Sequence, residues 1–170
     1  MKKLIVLSAI AVLSSGSALA TSHDFSPGGE VAVVCEASGI SGDFEFTEAA
    51  IKNPTSSTPI ALGFTVECNS ANDAEIKLKS SNGWLENQAN AAYGVKYTAK
   101  LEIADAISGW ELVMNANNTA KPTINTQALT SSAEIADGSA ATLTVSLTGG
   151  YGNTMAGNYE DNLLLTITAM

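Results

Sequence analysis

The sequence predicts an all-β chain of antiparallel strands packed as a β-sandwich. Apolar and polar residues alternate with a period of two over most of the chain, as in strands with one buried face. The alternating segments are short, and residues that favour turns separate them. No long helical pattern competes, because the alanine-rich stretch 87–92 is long enough only for a helical turn. Many short strands with frequent turns favour an antiparallel sandwich.

The first twenty residues have the pattern of a secretory signal peptide. Lys2 and Lys3 precede an apolar run from Leu4 to Leu13, and Ala18-Leu19-Ala20 matches a cleavage site. The run is about half the length that a membrane span requires. We therefore expect cleavage before Thr21, export, and no membrane span afterwards. Because residues 1–20 carry two lysines and no acidic residue, their removal changes the net charge from -9 to -11.

The predicted strands follow one another through the mature chain. The clearest is Val95–Ile103, in which Val95, Tyr97 and Leu101 share the apolar face. The other long candidates are Ile60–Cys68, Ala74–Ser80, Trp110–Met114, Ala141–Leu147 and Tyr159–Met170. Three shorter candidates are Val31–Glu36, Phe44–Thr47 and Thr123–Leu129.

The two cysteines predict one disulfide bond. In an oxidising compartment, Cys35 and Cys68 most simply pair with each other, enclosing 32 residues. Closing a loop of this size stabilises a fold by about 3–4 kcal/mol in the chain-entropy model. The alternatives are two free thiols or a redox pair, and the sequence has no Cys-x-x-Cys motif for the latter.

Composition and motifs exclude several classes of function. The acidic charge and the absence of arginine argue against a nucleic-acid partner. His23 and two cysteines are too few for the usual four-ligand zinc site. The glycine-rich Gly149–Gly152 lacks the Gly-Lys-Ser/Thr of a phosphate-binding loop. We expect no enzyme, no catalytic residue, no metal and no cofactor.

The two ends of the mature chain suggest an interaction between molecules. After the predicted cleavage point, the polar stretch Thr21–Glu30 leads into Val31-Ala32-Val33-Val34, and the chain ends in an alternating strand. An unpaired edge strand can be extended by a strand from another molecule.

With these features, the chain resembles the pilin subunits of chaperone–usher systems, particularly the archaic branch whose domain is called spore coat protein U. The matching features, in chain order, are Cys35, the strand Phe64–Asn69, the turn Ser81-Asn82-Gly83, the strand Tyr97–Leu101, Trp110 and the ending Gly157-Asn158-Tyr159-Glu160-Asp161. The resemblance covers most of the mature chain.

The resemblance implies an incomplete immunoglobulin-like sandwich that a donor strand from a partner subunit completes. Residues 1–20 would be the signal peptide, 21–34 the donor extension and 35–170 the pilin-like domain. The implied donor residues are Phe25, Val31 and Val33. The implied groove or chaperone contacts on the C-terminal strand are Gly157, Tyr159, Leu163, Leu165 and Ile167.

The resemblance also implies partners, a location and a role. A periplasmic chaperone and an outer-membrane usher would deliver the subunit into a homopolymer or heteropolymer. The subunit would pass through the periplasm to a surface filament or coat that supports adhesion or biofilm formation, or it would be secreted. The alternative is a self-contained secreted β-sandwich that binds a ligand, with carbohydrate stacking on Trp84 or Trp110 as one option.

Overall fold

The structure, a computed structural model, describes residues 28–106, 110–130, 135–150 and 154–170. The chain divides into two units, Met1–Val31 and Ala32–Met170. In the first unit the described residues, 28–31, form no regular secondary structure, and Val31 is 83% exposed. The predicted signal peptide 1–20 and the predicted donor residue Phe25 lie outside the described residues.

The second unit is mostly antiparallel β-structure in two sheets, so the predicted all-β class is confirmed. The strands are β1 Cys35–Ser38, β2 Ile60–Cys68, β3 Ala74–Ser80, β4 Leu85–Asn87, β5 Gly94–Ile103, β6 Glu111–Ala116, β7 Thr123–Leu129, β8 Ser139–Gly150, β9 Tyr159–Glu160 and β10 Leu163–Ala169. A short helix, α1 Glu48–Lys52, and a 3-10 turn, Pro54–Ser56, connect β1 to β2.

The larger sheet has the order β1-β2-β8-β5-β4-β9, and β6 pairs with β5. The smaller sheet has the order β10-β3-β7. In the second unit, β1 and β10 are therefore each the outermost strand of a sheet. All the pairings are antiparallel, as the alternating patterns predict.

One apolar core contains residues of both sheets. Ile76 and Leu78 of the smaller sheet and Val66, Leu101 and Leu112 of the larger sheet are fully buried in it. Burial of each such side chain contributes about 1.5–3 kcal/mol. The period-two alternation of the sequence thus places one face of each of these strands in the core.

At the N-terminal side of the domain, two predicted strands differ from the observed structure. Phe44–Thr47 is not a strand, because the Thr47 side chain caps α1 by accepting a hydrogen bond from the Ala50 amide, at 3.2 Å. The predicted strand Val31–Glu36 begins only at Cys35. The Asn69 side chain accepts a hydrogen bond from the Val34 amide and donates one to the Ala32 carbonyl. These two backbone groups are therefore bonded to a side chain.

The predicted final strand, Tyr159–Met170, is divided into β9 and β10. The division falls at Asp161 and Asn162, where the Asp161 carboxylate accepts the Asn162 amide at 2.8 Å. Among the described residues, no helix is long and apolar enough to cross a membrane.

Candidate functional site

An open groove lies between the two outermost strands, β1 and β10. One side consists of β10, and the other consists of β1 and the segment 40–46 that follows it. The strands approach each other without pairing. The groove has a volume of about 1580 Å³, larger than the roughly 300–1,000 Å³ of small-molecule sites. Seven residues of β10 span about 23 Å at about 3.3 Å each. The site is long enough for an extended peptide.

Incompletely covered apolar side chains line the groove. Leu163, Leu165 and Ile167 of β10 face it and are only half-buried. Their register partners on β3 include Leu78 and Ile76, which are fully buried. Apolar and aromatic residues of the larger sheet also line the groove: Leu62, Phe64, Tyr97, Leu143 and Val145. The contrast between neighbouring strands shows that the apolar face of β10 is left partly open at the groove.

The backbone of β10 has an unpaired edge. The Ser81 amide donates to the Asn162 carbonyl at 3.0 Å, and the Met170 amide donates to the Asp73 carbonyl at 2.9 Å. Because antiparallel hydrogen bonds alternate, the even-numbered residues between these pairs bond to β3. The backbone groups of Leu163, Leu165 and Ile167 therefore point away from β3, and no strand among the described residues pairs with them.

The backbone of β1 has a matching edge. The Asn69 amide donates to the Val34 carbonyl at 3.0 Å, which fixes the alternation of the β1–β2 ladder. By that alternation, the backbone groups of Cys35 and Ala37 point away from β2. Within the described part of the chain, β1 pairs only with β2. The groove is thus bordered by two strand edges.

The predicted disulfide is confirmed, and it lies at the groove. Cys35 and Cys68 are bonded and stand directly opposite each other in the β1–β2 ladder. The bond ties the edge strand β1 to the interior strand β2. A disulfide is consistent with a protein exported to an oxidising compartment.

A carboxylate organises one end of the groove. Asp161 accepts hydrogen bonds from the Tyr97 hydroxyl at 2.6 Å, from the Asn82 amide at 2.8 Å and from the Ser80 hydroxyl. Burial, and then the bond to Asp161, raises the pKa of the Tyr97 hydroxyl far above its usual value. The network joins the start of β10 to β3 and β5.

The structure places the five predicted C-terminal residues around one groove. Gly157 and Tyr159 line it together with the three apolar residues of β10. Gly157 has a φ of 144°, and a Cβ there would come within 2.8 Å of the Asn87 side chain, so glycine is required. The Tyr159 hydroxyl donates to the Met155 carbonyl at 2.8 Å, holding the approach to β10.

Of the predicted donor residues, Val33 is not among the residues that line the groove, and Phe25 lies outside the described residues. Val31 and Val33 are 83% and 60% exposed, and Val33 lies between Ala32 and Val34, whose backbone groups bond to Asn69. Whether this segment donates a strand to another molecule stays a prediction.

Sequence reasoning missed the side of the groove formed by residues 40–52. Phe44, Phe46 and Ile51 line it, and the first two are half-buried. The Phe-Glu-Phe alternation was the available signal: it predicted a short strand, which does not form, and did not indicate that these side chains border the groove.

The rim of the groove is acidic. Four lining carboxylates are exposed and make no ion pair within the described residues: Glu36, Asp43, Glu45 and Glu160. Lys52 is the single basic lining residue among those described, and it pairs with Glu48. This pairing lowers the pKa of Glu48.

The two tryptophans offer little surface for a sugar. Trp84 is fully buried, and its indole nitrogen donates to Glu86 at 3.3 Å. Trp110 is half-buried, and its indole nitrogen donates to the Ala128 carbonyl at 3.1 Å. In the described residues, no group of three or more His, Cys, Asp or Glu could hold a metal ion.

No family model, curated protein or solved structure matches this chain. The described residues define a class of protein by structure alone: a disulfide-linked, mostly antiparallel β-domain with an open apolar groove between two strand edges.

Proposed function

We propose that the protein is a structural subunit of a bacterial surface filament or coat, exported to the periplasm and assembled by strand donation into the groove. In this proposal the two sheets are an incomplete immunoglobulin-like sandwich. A strand from a partner subunit lies between β1 and β10 and completes it. The subunit contributes mass and surface to an assembly that supports adhesion or biofilm formation, and it catalyses no reaction.

The proposal rests on one observation: incompletely buried apolar side chains and unpaired backbone groups occur at the same residues of β10. Leu163, Leu165 and Ile167 each present a half-buried apolar side chain and an unpaired backbone edge to the groove. Unpaired backbone groups and exposed apolar surface are both unfavourable in water. One added strand with alternating apolar residues satisfies both at once, whereas a small ligand satisfies neither along the length of β10.

The proposal includes partners that the resemblance to archaic pilins suggests. A periplasmic chaperone covers the groove before assembly, and an outer-membrane usher exports the subunit. Cleavage of residues 1–20 frees segment 21–34, which donates a strand to the groove of a neighbouring subunit.

A chain with a built-in strand tests the proposal. An alternating apolar strand of about ten residues, joined after Met170 by a short turn, runs antiparallel to β10 and reaches the groove. We expect the extended chain to be a monomer in light scattering, with a higher melting temperature and greater resistance to proteolysis than the unmodified chain. If the unmodified chain is a stable monomer and the added strand raises neither its melting temperature nor its resistance to proteolysis, the proposal is wrong.

Two adjacent leucines provide the matched control. Both residues border the groove, but Leu165 is half-buried and packs against the core, whereas Leu164 is on the opposite face of β10 and is 52% exposed. In the extended chain, Leu165→Asn should loosen the added strand and make it sensitive to protease, because a polar group then meets an apolar strand. Leu164→Asn should leave the added strand protected. Equal sensitivity of the two variants would argue against occupation of the groove.

A deletion tests the donor role of the N-terminal segment. Removal of residues 21–30 should abolish growth of the assembly while leaving the groove able to accept an added strand. Filaments that form normally without this segment would exclude it as the donor.

A further inference from the structure

We propose that the groove takes a basic strand from a different protein, such as a second type of subunit, and not the N-terminal segment of another copy of this chain. This inference rests on the proposed function and specifies the partner. It follows from the charge on the groove rim and from the charge of the chain's own extension.

The groove rim carries uncompensated negative charge, most of it on the side of β1. Glu36, Asp43 and Glu45 stand on that side, and Glu160, the last residue of β9, stands three residues before β10. All four side chains are exposed, and no lysine pairs with them among the described residues. A strand in the groove therefore lies beside an acidic margin and near a fourth carboxylate at one end, where positive side chains are attracted and negative ones repelled.

The chain's own extension has the wrong charge for this groove. Segment 21–34 contains Asp24 and Glu30, and it has no lysine or arginine. Ala32 and Val34 are already held by the Asn69 side chain, which shortens the part that can reach another molecule. Pro27 lies within the remaining part and cannot donate a backbone hydrogen bond to a strand edge.

The chemistry of the fitting partner follows from the groove. Every second residue must be apolar, to meet the half-buried side chains of β10. The residues between them point toward solvent and the rim, and lysine or arginine there can contact the acidic side chains. Exposed ion pairs are individually weak, but three or four acting together give about a tenfold preference at low salt.

Competing peptides test the inference on the full chain. Three labelled peptides are compared by fluorescence anisotropy: one with alternating valine and lysine, one with alternating valine and glutamate, and residues 21–34 of this chain. At about 0.01 M salt we expect the lysine peptide to bind about tenfold more tightly than the glutamate peptide. At about 1 M salt the difference should nearly vanish, because the screening length falls to about 3 Å. If self-association blocks the groove, the same sequences are appended after Met170 and compared by urea unfolding.

Matched charge variants locate the effect. The variant E36Q/D43N/E45Q should lose most of the preference for lysine. The variant E75Q/D105N/D137N has the same net charge, is altered away from the groove lining, and should keep the preference.

The possible results separate this inference from the proposed function. If the lysine and glutamate peptides bind equally at both salt concentrations, or if residues 21–34 bind most tightly, the basic partner is wrong while the groove still accepts a strand. If no peptide binds and no appended strand stabilises the chain, both the inference and the proposed function fail.

Discussion

Replacing Asp161 with alanine should destabilise the domain strongly, because this carboxylate organises one end of the groove. It accepts hydrogen bonds from the Tyr97 hydroxyl, the Asn82 amide and the Ser80 hydroxyl. Tyr97 is 3% exposed and Ser80 is fully buried. The substitution therefore leaves buried donors without their acceptor.

The expected loss can be estimated from these contacts. A buried donor left without a partner costs about 1–3 kcal/mol. The Ser80 oxygen keeps its bond from the Gly83 amide at 2.9 Å, and water can reach the half-buried Asp161 position. We therefore expect Asp161→Ala to lower the free energy of unfolding by about 2–4 kcal/mol. The loss should be about 1–2 kcal/mol smaller in a Tyr97→Phe background, because the orphaned hydroxyl is then absent.

Urea unfolding followed by tryptophan fluorescence measures these values, since Trp84 is fully buried. Glu160→Ala is the matched control: it removes the neighbouring carboxylate, which is exposed and whose side chain has no hydrogen bond among the described residues. It should change the free energy of unfolding by less than about 0.5 kcal/mol. Equal losses for Asp161→Ala and Glu160→Ala, or strictly additive losses with Tyr97→Phe, would refute the reasoning.

Three further predictions concern other parts of the domain. The pKa of the Tyr97 hydroxyl is raised in the folded state, so its contribution to the free energy of unfolding is complete below about pH 10 and decreases above it, by up to about 1.4 kcal/mol per pH unit. In Tyr97→Phe, the free energy of unfolding should therefore decline less steeply at alkaline pH, and an unchanged decline would contradict this. The double variant Cys35→Ala/Cys68→Ala should lose about 3–4 kcal/mol in urea unfolding, and reduction of the native chain should reproduce that loss; a loss under 1 kcal/mol would be inconsistent with a structural role. Gly94→Ala should lower the melting temperature markedly, because its Cβ would lie 2.5 Å from an indole ring, whereas Gly63→Ala, with 4.0 Å of space, should be nearly neutral; similar effects would argue against this packing.

The strands were predictable where one face is buried and the other solvated. Ile60–Cys68, Ala74–Ser80 and Thr123–Leu129 match β2, β3 and β7 residue for residue, because the turn formers around them stop the alternation sharply. The disulfide was predictable because the N-terminal pattern predicts export to an oxidising compartment, where two cysteines leave one pairing.

The features that sequence alone did not reveal depend on the hydrogen bonds of two single side chains, one distant in sequence and one local. Asn69 occupies the backbone at Ala32 and Val34, 37 and 35 residues away, and so delays the start of β1. Thr47 begins a helix where the Phe44–Phe46 alternation continues to indicate a strand. The alternation of apolar and polar residues, from which the strands were predicted, carries no information about either contact.

The groove was predictable only in part. The alternation in β10 indicated which side chains share a face, and the resemblance to pilins indicated that a groove would lie there. Its acidic rim combines Glu36, Asp43 and Glu45 with Glu160, residues that tertiary structure brings to one site. No pattern in the sequence predicts that these four carboxylates border the same groove.

Amide hydrogen exchange along β10 tests the central claim most directly, because the amides expected to become protected and the amides that serve as controls alternate along one strand. The amides of Leu164 and Thr166 bond to β3, whereas those of Leu163, Leu165 and Ile167 point into the groove. Appending a strand after Met170 should slow exchange selectively at the groove-facing amides. Groove-facing amides that are already protected without the strand, or that remain unprotected with it, would contradict strand donation into this groove.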